Sequence, residues 1–171
     1  MAVGPEQFRG ALRYWASGVS IVTTARDGGI QGITVSSFSS LSLEPPLVLI
    51  CIDRAAVSHD LIARRGAFAV NVLREDQVAL ADAAAGRHGP RGNRLENVAW
   101  RKAVTGAPVL DDCLAWLDCV LVDTLPGGDH TIYVGRVEAT GQTTGRPLLW
   151  FGSEYQRIAT RRPASRRPAR R

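Results

Sequence analysis

The chain has 171 residues, which is enough for one domain with a sizeable core. Hydrophobic residues make up 45% of it and charged residues 22%, so the composition excludes a disordered or fibrous protein and is that of a globular one. No apolar run approaches the roughly 20 residues that a membrane-spanning helix needs. The formal net charge is +5, but residues 161–171 hold six arginines and no acid, and without them residues 1–160 carry −1.

The basic charge therefore belongs to a short C-terminal segment, which argues against a nucleic-acid-binding domain. Arg, Pro, Ala and Ser without periodicity cannot bury a core, so we predict one domain over residues 1–160 and a disordered Arg-rich tail over 161–171. The tail is either solvated or touches anionic partners weakly. The N-terminus shows no basic segment followed by an apolar one, so we expect no signal peptide and a cytoplasmic protein.

Neither the cysteines nor the histidines show the spacing of metal ligands, so we predict no metal site. The cysteines lack a C-x-x-C pair and stand in apolar contexts, which favours buried free thiols. The residues concerned are Cys51, Cys113, Cys119, His59, His88 and His130.

The N-terminal third predicts a helix followed by a hairpin. Over residues 5–17, Phe8, Leu12 and Trp15 recur at i, i+4 and i+7, which is one apolar face of a helix, and Gly18 follows. The strand-like residues 19–25 and 30–35 flank the turn "RDGG" and predict the hairpin.

A hydroxyl-rich segment, "ITVSSFSSLSLEPP" (33–46), separates this hairpin from the next apolar run. Its two prolines are expected to interrupt strand pairing. "LVLICI" (47–52) then predicts a strand that is buried on both faces.

The rest of the chain alternates helices with strands and ends in a second hairpin. We predict a helix over 58–66 with Ser58 as its N-cap, a strand over 67–73 and a helix over 75–86. Residues 87–97 read as a loop. Two long strands, 114–126 and 130–140, flank "GGD", and a last short strand lies within 147–158.

Strands dominate this order, so the predicted fold class is mainly β with inserted helices, most simply a small antiparallel barrel. A dinucleotide-binding Rossmann fold would need a glycine-rich turn between a strand and a helix. The only comparable stretch, "GGIQG" (28–32), is followed by a strand, which argues against that fold.

Four stretches could carry chemistry, and each has an ordinary structural alternative. The hydroxyl-rich segment either forms a concavity of backbone N–H groups that binds anions or is a turn that bonds to itself. Arg54 and Ser58 either hold a phosphate or form a capped helix with a solvated Arg. Asn71, inside an apolar strand, is either satisfied by backbone or faces a heterocycle. Asp129 and His130 stand at the mouth of a hairpin.

Together these stretches resemble the flavin reductase family, the FMN-binding split-barrel reductases of two-component flavin-dependent monooxygenases. The resemblance runs from about Phe8 to Ile158. It rests on "WASGVSIVTT" (15–24), "GITVSSFSSLSLEPPLVLICID" (32–53), "FAVNVL" (68–73) and "GDHTIYVGRV" (128–137). The second and fourth stretches, in this order and spacing, are specific.

The resemblance implies a homodimeric FMN-binding split β-barrel that holds a flavin ring near the subunit interface. It implies a catalytic position for His130 with Asp129, beside the nicotinamide. The residues that it implies for cofactor binding are Thr34, Val35, Ser36, Ser37, Phe38 and Ser39 along the ring and ribityl chain, Cys51, Ile52, Asp53, Arg54 and Ser58 at the phosphate, Asn71 near the ring, and Trp150, Phe151 and Tyr155 in a segment that closes over the nicotinamide side.

The implied activity is that of an NAD(P)H:flavin oxidoreductase, with hydride passing from NADH or NADPH to FMN or FAD and reduced flavin passing to a separate oxygenase. A tyrosine is usual where Trp150 stands, and "GSE" (152–154) lacks a basic run that many members carry. The contacts to the pyridine nucleotide therefore stay open, and Arg87, Arg91 and Arg94 contact either a 2′-phosphate or only water. The choice between FMN and FAD and the choice between NADH and NADPH are open as well. A non-enzymatic flavin-binding protein and an oxidase with another reduced substrate are the alternatives.

Overall fold

The computed structural model describes residues 2–86 and 95–159, and these contain three helices and twelve strands. The helices are α1 (Pro5–Leu12), α2 (Val57–Arg65) and α3 (Val78–Ala85). The strands are β1 (Ser17–Gly18), β2 (Ser20–Arg26), β3 (Gly29–Val35), β4 (Ser39–Leu43), β5 (Pro46–Asp53), β6 (Ala67–Val72), β7 (Trp100–Lys102), β8 (Pro108–Leu110), β9 (Ala115–Gly127), β10 (His130–Gln142), β11 (Leu149–Phe151) and β12 (Glu154–Gln156). The predicted tail and residues 87–94 of the predicted loop lie outside the described residues.

Seven strands form one antiparallel sheet in the order β3-β2-β6-β9-β10-β5-β4. Val35 of β3 and Ile50 of β5 belong to the same buried cluster, although their strands stand near opposite ends of this order. The sheet therefore curls around its core as a barrel does. The same cluster contains Phe68, Tyr133 and Ile62, the last of which comes from α2 and covers one side of the core.

The two predicted hairpins are present. β2 and β3 join through Asp27 and Gly28, and Gly28 has a positive φ of 78°, a conformation that a turn of this kind demands. β9 and β10 pair from Gly127 and His130 back to Ala115 and Gln142.

A second, three-stranded sheet, β1-β11-β12, is built from both ends of the described chain. Ser17 pairs with Trp150, and Trp150 pairs in turn with Tyr155. β7 and β8 form a small two-stranded sheet. The pairing of β1 with β11 joins residues far apart in sequence, and the last strand predicted for residues 147–158 proves to be two.

The hydroxyl-rich segment differs from its prediction in its second half. Residues 39–43 form β4, which pairs with β5 at the edge of the main sheet and has an irregular register between Ser40 and Ser42. Pro45 and Pro46 are exposed at this edge, where a missing N–H removes no bond that the sheet needs.

β5 is fully buried on one face only, whereas burial on both faces was predicted. Val48, Ile50 and Ile52 lie in the core, whereas the side chains that alternate with them are only half-buried. Alternation of this kind is typical of an antiparallel sheet.

The helix ends also shift from their predicted positions. α1 ends at Leu12, and none of its residues is buried. α2 begins at Val57 after Ala56, so Ser58 is not its N-cap. The predicted stops at Gly66 and Gly86 are confirmed, because both residues adopt the left-handed conformation that ends a helix, whereas α1 ends well before the stop predicted at Gly18. Within the described residues, no helix has the length and hydropathy to span a membrane.

Candidate functional site

The site centres on a cleft of about 160 Å³ between the end of β3 and the β11–β12 hairpin. Thr34, Val35 and Ser36 form one wall, and Trp150 and Tyr155 form the other. The two aromatic rings meet edge to face, with their centroids 5.0 Å apart. Val19 and Ala85 complete the lining. Small polar groups on one side and aromatic surface on the other suit a flat, partly polar ligand.

α3 is tied to both walls of this cleft. The Thr34 hydroxyl donates to the backbone oxygen of Ala81 at 2.6 Å, and the Tyr155 hydroxyl donates to Oδ1 of Asp82 at 2.8 Å. The cleft is therefore held in shape by bonds that its own polar side chains make to one helix. Ser36, in contrast, is exposed and free of any such bond among the described contacts.

The chain leaves β3 in a bend over residues 36–38, and Ser37 fixes that bend to β5. Its hydroxyl donates to the backbone oxygen of Cys51 at 2.8 Å and accepts from the N–H of Cys51 at 3.2 Å. The backbone between Ser36 and Phe38 lies outside the strand ladder. Amide groups in such a bend can face a ligand rather than a neighbouring strand.

Two further depressions continue from the cleft. A groove of about 310 Å³ runs along α1, and Arg9, Arg13, Trp15 and Ser17 belong to its lining. A depression of about 320 Å³ extends past Trp15 and Ser17 toward Phe38 and Val72. Ser36 lines all three, so they form one continuous surface.

The phosphate-type turn and the hairpin tip predicted from sequence lie side by side. In the β5–β10 pairing His130 stands opposite Asp53, and the Arg54 N–H donates to the backbone oxygen of Asp129 at 3.0 Å. Asp53 closes its own turn, because its Oδ1 accepts from the Ala55 N–H at 2.8 Å. Arg54 is exposed and makes no ion pair within the described residues.

Asp129 and His130 form a side-chain pair at this tip. Nδ1 of His130 lies 2.7 Å from Oδ1 of Asp129. This hydrogen bond, with the charge of the imidazolium when present, lowers the pKa of the Asp129 carboxyl. The carboxylate therefore stays ionised and fixes the orientation of the ring, which leaves Nε2 directed elsewhere.

His59 connects the turn to the strand that carries His130. Its Nε2 lies 2.9 Å from the Thr131 hydroxyl, and its Nδ1 lies 2.9 Å from Oδ1 of Asp60. The Tyr133 hydroxyl donates to the His59 backbone oxygen at 3.0 Å. The start of α2 and the start of β10 are thus held together by two hydrogen bonds, and the bond to Asp60 fixes the His59 ring within α2.

Three of the residues implied for cofactor binding have side chains in the core instead. Asn71 is fully buried: its amide nitrogen donates to Ile21 O and Thr23 Oγ1, both at 3.0 Å, and its oxygen accepts from Leu110 N at 2.9 Å. Ser58 is 2% exposed and Ile52 is 1% exposed. The structure does not bring these side chains to the cleft. For Asn71 it shows the structural alternative, in which the amide is satisfied within the protein.

The remaining implied residues do not belong to the lining of the cleft. Phe38 lines the depression beyond Ser36. Ser39 is exposed on β4 and donates to the neighbouring Ser40 backbone at 3.1 Å. Phe151 is 41% exposed on β11, and Cys51 is half-buried on β5 beside Ser37.

Sequence reasoning missed the contribution of the segment before β2. Trp15 and Ser17 line the grooves, and Val19 lines the cleft, because β1 pairs with β11. The stretch "WASGVS" (15–20) contributed to the resemblance to the family. Nothing local in it indicates that β1 pairs with β11, some 130 residues further along the chain.

The thiols of the described residues are not activated, and their carboxylates and imidazoles form no metal cluster. No group of three or more His, Cys, Asp or Glu side chains among them is placed to hold a metal ion. Burial raises the pKa of the Cys51 thiol, which keeps it neutral and a poor nucleophile. The small polar groups and the aromatic rings of the cleft can bind and orient a ligand.

The chain belongs to the flavin reductase family, because the family model described as "Flavin reductase like domain" matches residues 12–159. It is 38% identical over 159 residues to the flavin-dependent monooxygenase reductase subunit HsaB of Rhodococcus jostii (strain RHA1), across 92% of this chain and 80% of that protein. It is 37% identical over 160 residues to an NADH-dependent flavin reductase of Rhodococcus sp, across 91% and 88% of the two chains.

Among solved structures, the chain resembles the Streptomyces globisporus C-1027 NADH:FAD oxidoreductase SgcE6. The TM-score is 0.85 and the identity 33%, and the match covers 94% of this chain and 98% of that one. The mainly β split-barrel fold expected from the sequence is thereby confirmed.

Proposed function

We propose that this protein is an NAD(P)H-dependent flavin reductase that supplies reduced flavin to a partner monooxygenase. The observation that carries the proposal is the cleft between Ser36 and Trp150 in a chain of this family, where relatives are named as NADH-dependent reductases and as reductase subunits of monooxygenases. A reaction of this kind is carried by the cofactor and the substrate, so the protein need only bind and position them.

The residues present fit a flavin. Trp150 and Tyr155 offer aromatic surface for a tricyclic ring, and the bend at Ser36 offers a hydroxyl and backbone N–H groups for its polar edge. Arg54, without an ion pair among the described residues, and the first turn of α2 suit the ribityl phosphate. When bound, the flavin takes up the hydride that the nicotinamide releases.

The contribution of the protein is to position the flavin and the nicotinamide relative to each other. The walls that Thr34 and Tyr155 form are fixed to α3 by hydrogen bonds, so they would hold a bound flavin ring in one orientation. Holding two reactants in contact in this way contributes roughly 7–11 kcal/mol to lowering a barrier. N–H groups at the bend stabilise negative charge at the edge of the ring. His130, oriented by Asp129, donates a hydrogen bond to the nicotinamide or the flavin.

Steady-state turnover with each of the four pairs of FMN or FAD with NADH or NADPH tests this proposal and identifies the preferred pair. Loss of the nicotinamide absorbance with flavin present supports a reductase. Flavin binding without nucleotide oxidation would leave the non-enzymatic flavoprotein or the oxidase with another reduced substrate, and the colour of the purified protein shows whether flavin stays bound.

A homodimer is the proposed assembly, and the second face of the main sheet supports it. Ile132 stands between Cys51 and Leu125 on neighbouring strands, so an apolar row crosses three strands on the face opposite Tyr133 and the core. Leu125 is 46% exposed. A contiguous apolar surface of this kind marks an interface.

Sedimentation velocity tests the dimer. We expect Leu125→Glu to sediment as a monomer, because a carboxylate would be buried in the interface. Val104→Glu is the matched control, since Val104 is 77% exposed on the turn before β8 and away from this row. A dimeric Leu125→Glu protein would exclude this face as the interface.

We also infer that the enzyme is cytoplasmic and that a separate oxygenase is its partner. We further infer that the catalytic domain ends near residue 160 and that residues 161–171 play no part in turnover. Relatives named as reductase subunits and components support the oxygenase partner. Trimming residues 161–171 should leave reductase activity unchanged and weaken retention on an anionic column.

A further inference from the structure

Of the two histidines in residues 2–86 and 95–159, His59 has no part in the function proposed above. It belongs to the first turn of α2, and its side chain is only 19% exposed. Its ring meets that of Tyr133 edge to face, with the centroids 5.6 Å apart, and both ring nitrogens have hydrogen-bond partners. An imidazole held by packing and by bonds at both nitrogens has a fixed orientation.

The Asp60 carboxylate determines how this ring bonds to β10. The hydrogen bond from His59 lowers the pKa of the Asp60 carboxyl, so Asp60 is ionised near neutral pH and can only accept. Nδ1 of His59 therefore carries a proton, and Nε2 of the neutral ring accepts from the Thr131 hydroxyl at 2.9 Å. A chain of hydrogen bonds thus runs from the exposed Asp60 through His59 to β10.

The segment that His59 holds is the turn proposed above for the ribityl phosphate. Arg54 is exposed in this turn, between the end of β5 and the start of α2. No side chain caps the N-terminus of α2, so the N–H groups of its first turn suit an anion. Phosphate contacts of this kind depend on where α2 begins relative to the neighbouring strands.

The β9–β10 hairpin meets this turn at three alternate residues. The backbone oxygen of Asp129 accepts from the Arg54 N–H at 3.0 Å. Thr131 bonds to the ring of His59, and the Tyr133 hydroxyl donates to the His59 backbone oxygen at 3.0 Å. Two of these three bonds are made to His59, so this residue fixes α2 to the hairpin.

The fold of α2 has a separate support. Ile62 of this helix is fully buried in the main core cluster, and Gly66 ends the helix in the left-handed conformation. Loss of the bond between His59 and Thr131 should therefore loosen the start of α2 without unfolding it. A looser turn must be ordered when a phosphate binds, which weakens binding.

We propose that His59 is a positioning residue that holds the turn at Arg54 in place for the phosphate of the flavin. It thereby sets the preference for FMN and FAD, which carry this phosphate, over riboflavin, which lacks it. This inference rests on the proposed function. His59 acts through its bond to Thr131 and needs no contact with the flavin.

Two amide substitutions of different length test this role. His59→Gln places an amide near the position of Nε2, where it can bond to Thr131, whereas the shorter His59→Asn reaches only the position of Nδ1. We expect His59→Asn to raise the dissociation constants of FMN and FAD about fivefold and to leave that of riboflavin unchanged. His59→Gln should keep values close to those of the unaltered protein. Fluorescence titration with the three flavins measures these constants.

Thr131→Val tests the other end of the same bond, because it removes the hydroxyl with little change of shape. It should match His59→Asn, and the double variant should bind FMN no more weakly than either single variant, since all three lack one bond. Thr124→Val is the matched control, because Thr124 is an exposed threonine that stands opposite Tyr133 on β9. It should leave all three constants unchanged.

An equal loss for riboflavin, a loss in His59→Gln as large as in His59→Asn, or additive losses in the double variant would overturn the assignment. An unaltered protein that binds FMN and FAD no more tightly than riboflavin would overturn it as well. Failure of the proposed function is a different result, in which the unaltered protein does not oxidise NADH or NADPH with any flavin. The titrations do not depend on turnover, so the two failures are told apart.

Discussion

Arg54 stands at the turn between β5 and α2 with its backbone fixed and its guanidinium unpaired among the described residues. The bond from its N–H to Asp129 holds the turn against the hairpin tip, so the side chain starts from a defined position. A guanidinium so placed gains most from a ligand that carries a phosphate.

We predict that Arg54→Ala weakens FMN binding by about tenfold and hardly affects riboflavin, because only FMN carries the phosphate. Fluorescence titration with both flavins measures this difference. Arg64→Ala, an exposed arginine near the other end of α2, serves as the control. Equal losses for the two flavins would remove Arg54 from the phosphate site.

His130 is the residue on which nucleotide binding should depend. Because Asp129 orients its ring and the pair lies at the hairpin tip, we predict that His130→Ala raises the KM for the pyridine nucleotide and leaves flavin affinity nearly intact. Steady-state kinetics and flavin titration together separate the two. Weakened flavin binding with normal nucleotide kinetics would refute this role.

The three thiols should differ in reactivity. Burial and the charge of Asp118 raise the pKa of Cys119 to about 12, and burial raises that of Cys113 to about 11, so both remain protonated near neutral pH. Cys51 is only half-buried beside the cleft. We predict that a thiol reagent at pH 8 labels Cys51 first and that bound FMN slows this labelling, as measured by mass spectrometry of digested protein.

The same thiols give the stability of the protein an alkaline limit. A thiol that is neutral in the folded state and whose pKa is raised there favours folding below its unfolded pKa of about 9, and this contribution is lost as pH rises from about 9 toward the folded values. Cys113→Ala, Cys119→Ala protein should therefore lose less stability between pH 8 and 11 than the unaltered protein does.

At the scale of elements, β10 packs against β6 and β9 so closely at Gly135 that no side chain fits. A Cβ at this position would lie 2.5 Å from Cζ of Phe68 and 2.9 Å from Cβ of Cys119. Both neighbours are fully buried, so neither can move aside freely.

We predict that Gly135→Ala lowers the free energy of unfolding by about 1–3 kcal/mol, which calorimetry would register as a Tm lower by several degrees. Gly10→Ala, at a position of α1 where a Cβ meets nothing within 4 Å, should leave Tm unchanged or raise it slightly. An unaltered Tm in Gly135→Ala would mean that Phe68 repacks without cost.

Elements whose signals are local could be predicted from the sequence. The two hairpins follow from Gly28 and Gly128 and the helix stops from Gly66 and Gly86, all of which have the positive φ that glycine favours. β4 was missed because Pro45 and Pro46 suggested a loop, and only its position at the sheet edge makes the prolines harmless.

The site could be predicted only in part, because its assembly depends on contacts between distant residues. The hydroxyl-rich segment and Trp150 were found, and the structure brings them together. One partner of the Asn71 side chain is the backbone N–H of Leu110, 39 residues away, and no local pattern could show that this amide is already satisfied. Trp15 and Ser17 reach the grooves only through the pairing of β1 with β11.

At the scale of the molecule, the proposed site spans two regions of different construction. The turn at Arg54 and the tip at His130 belong to the seven-stranded barrel sheet, whereas Trp150 and Tyr155 belong to the small sheet that unites both ends of the described chain. The bend at Ser36 and Ser37 connects the two, since Ser37 is bonded to β5 and Ser36 lines the cleft. A ligand that touches both regions would couple their stabilities.

The small sheet of β1, β11 and β12 has strands of only two or three residues, and short pairings of this kind open at low free-energy cost. Its amides should therefore take up deuterium much sooner than those of β6 and β9. Because this sheet carries one wall of the cleft, an occupant of that cleft would slow the uptake across residues 149–156. Hydrogen exchange would then measure binding of colourless compounds to the cleft, which the absorbance of bound flavin does not detect.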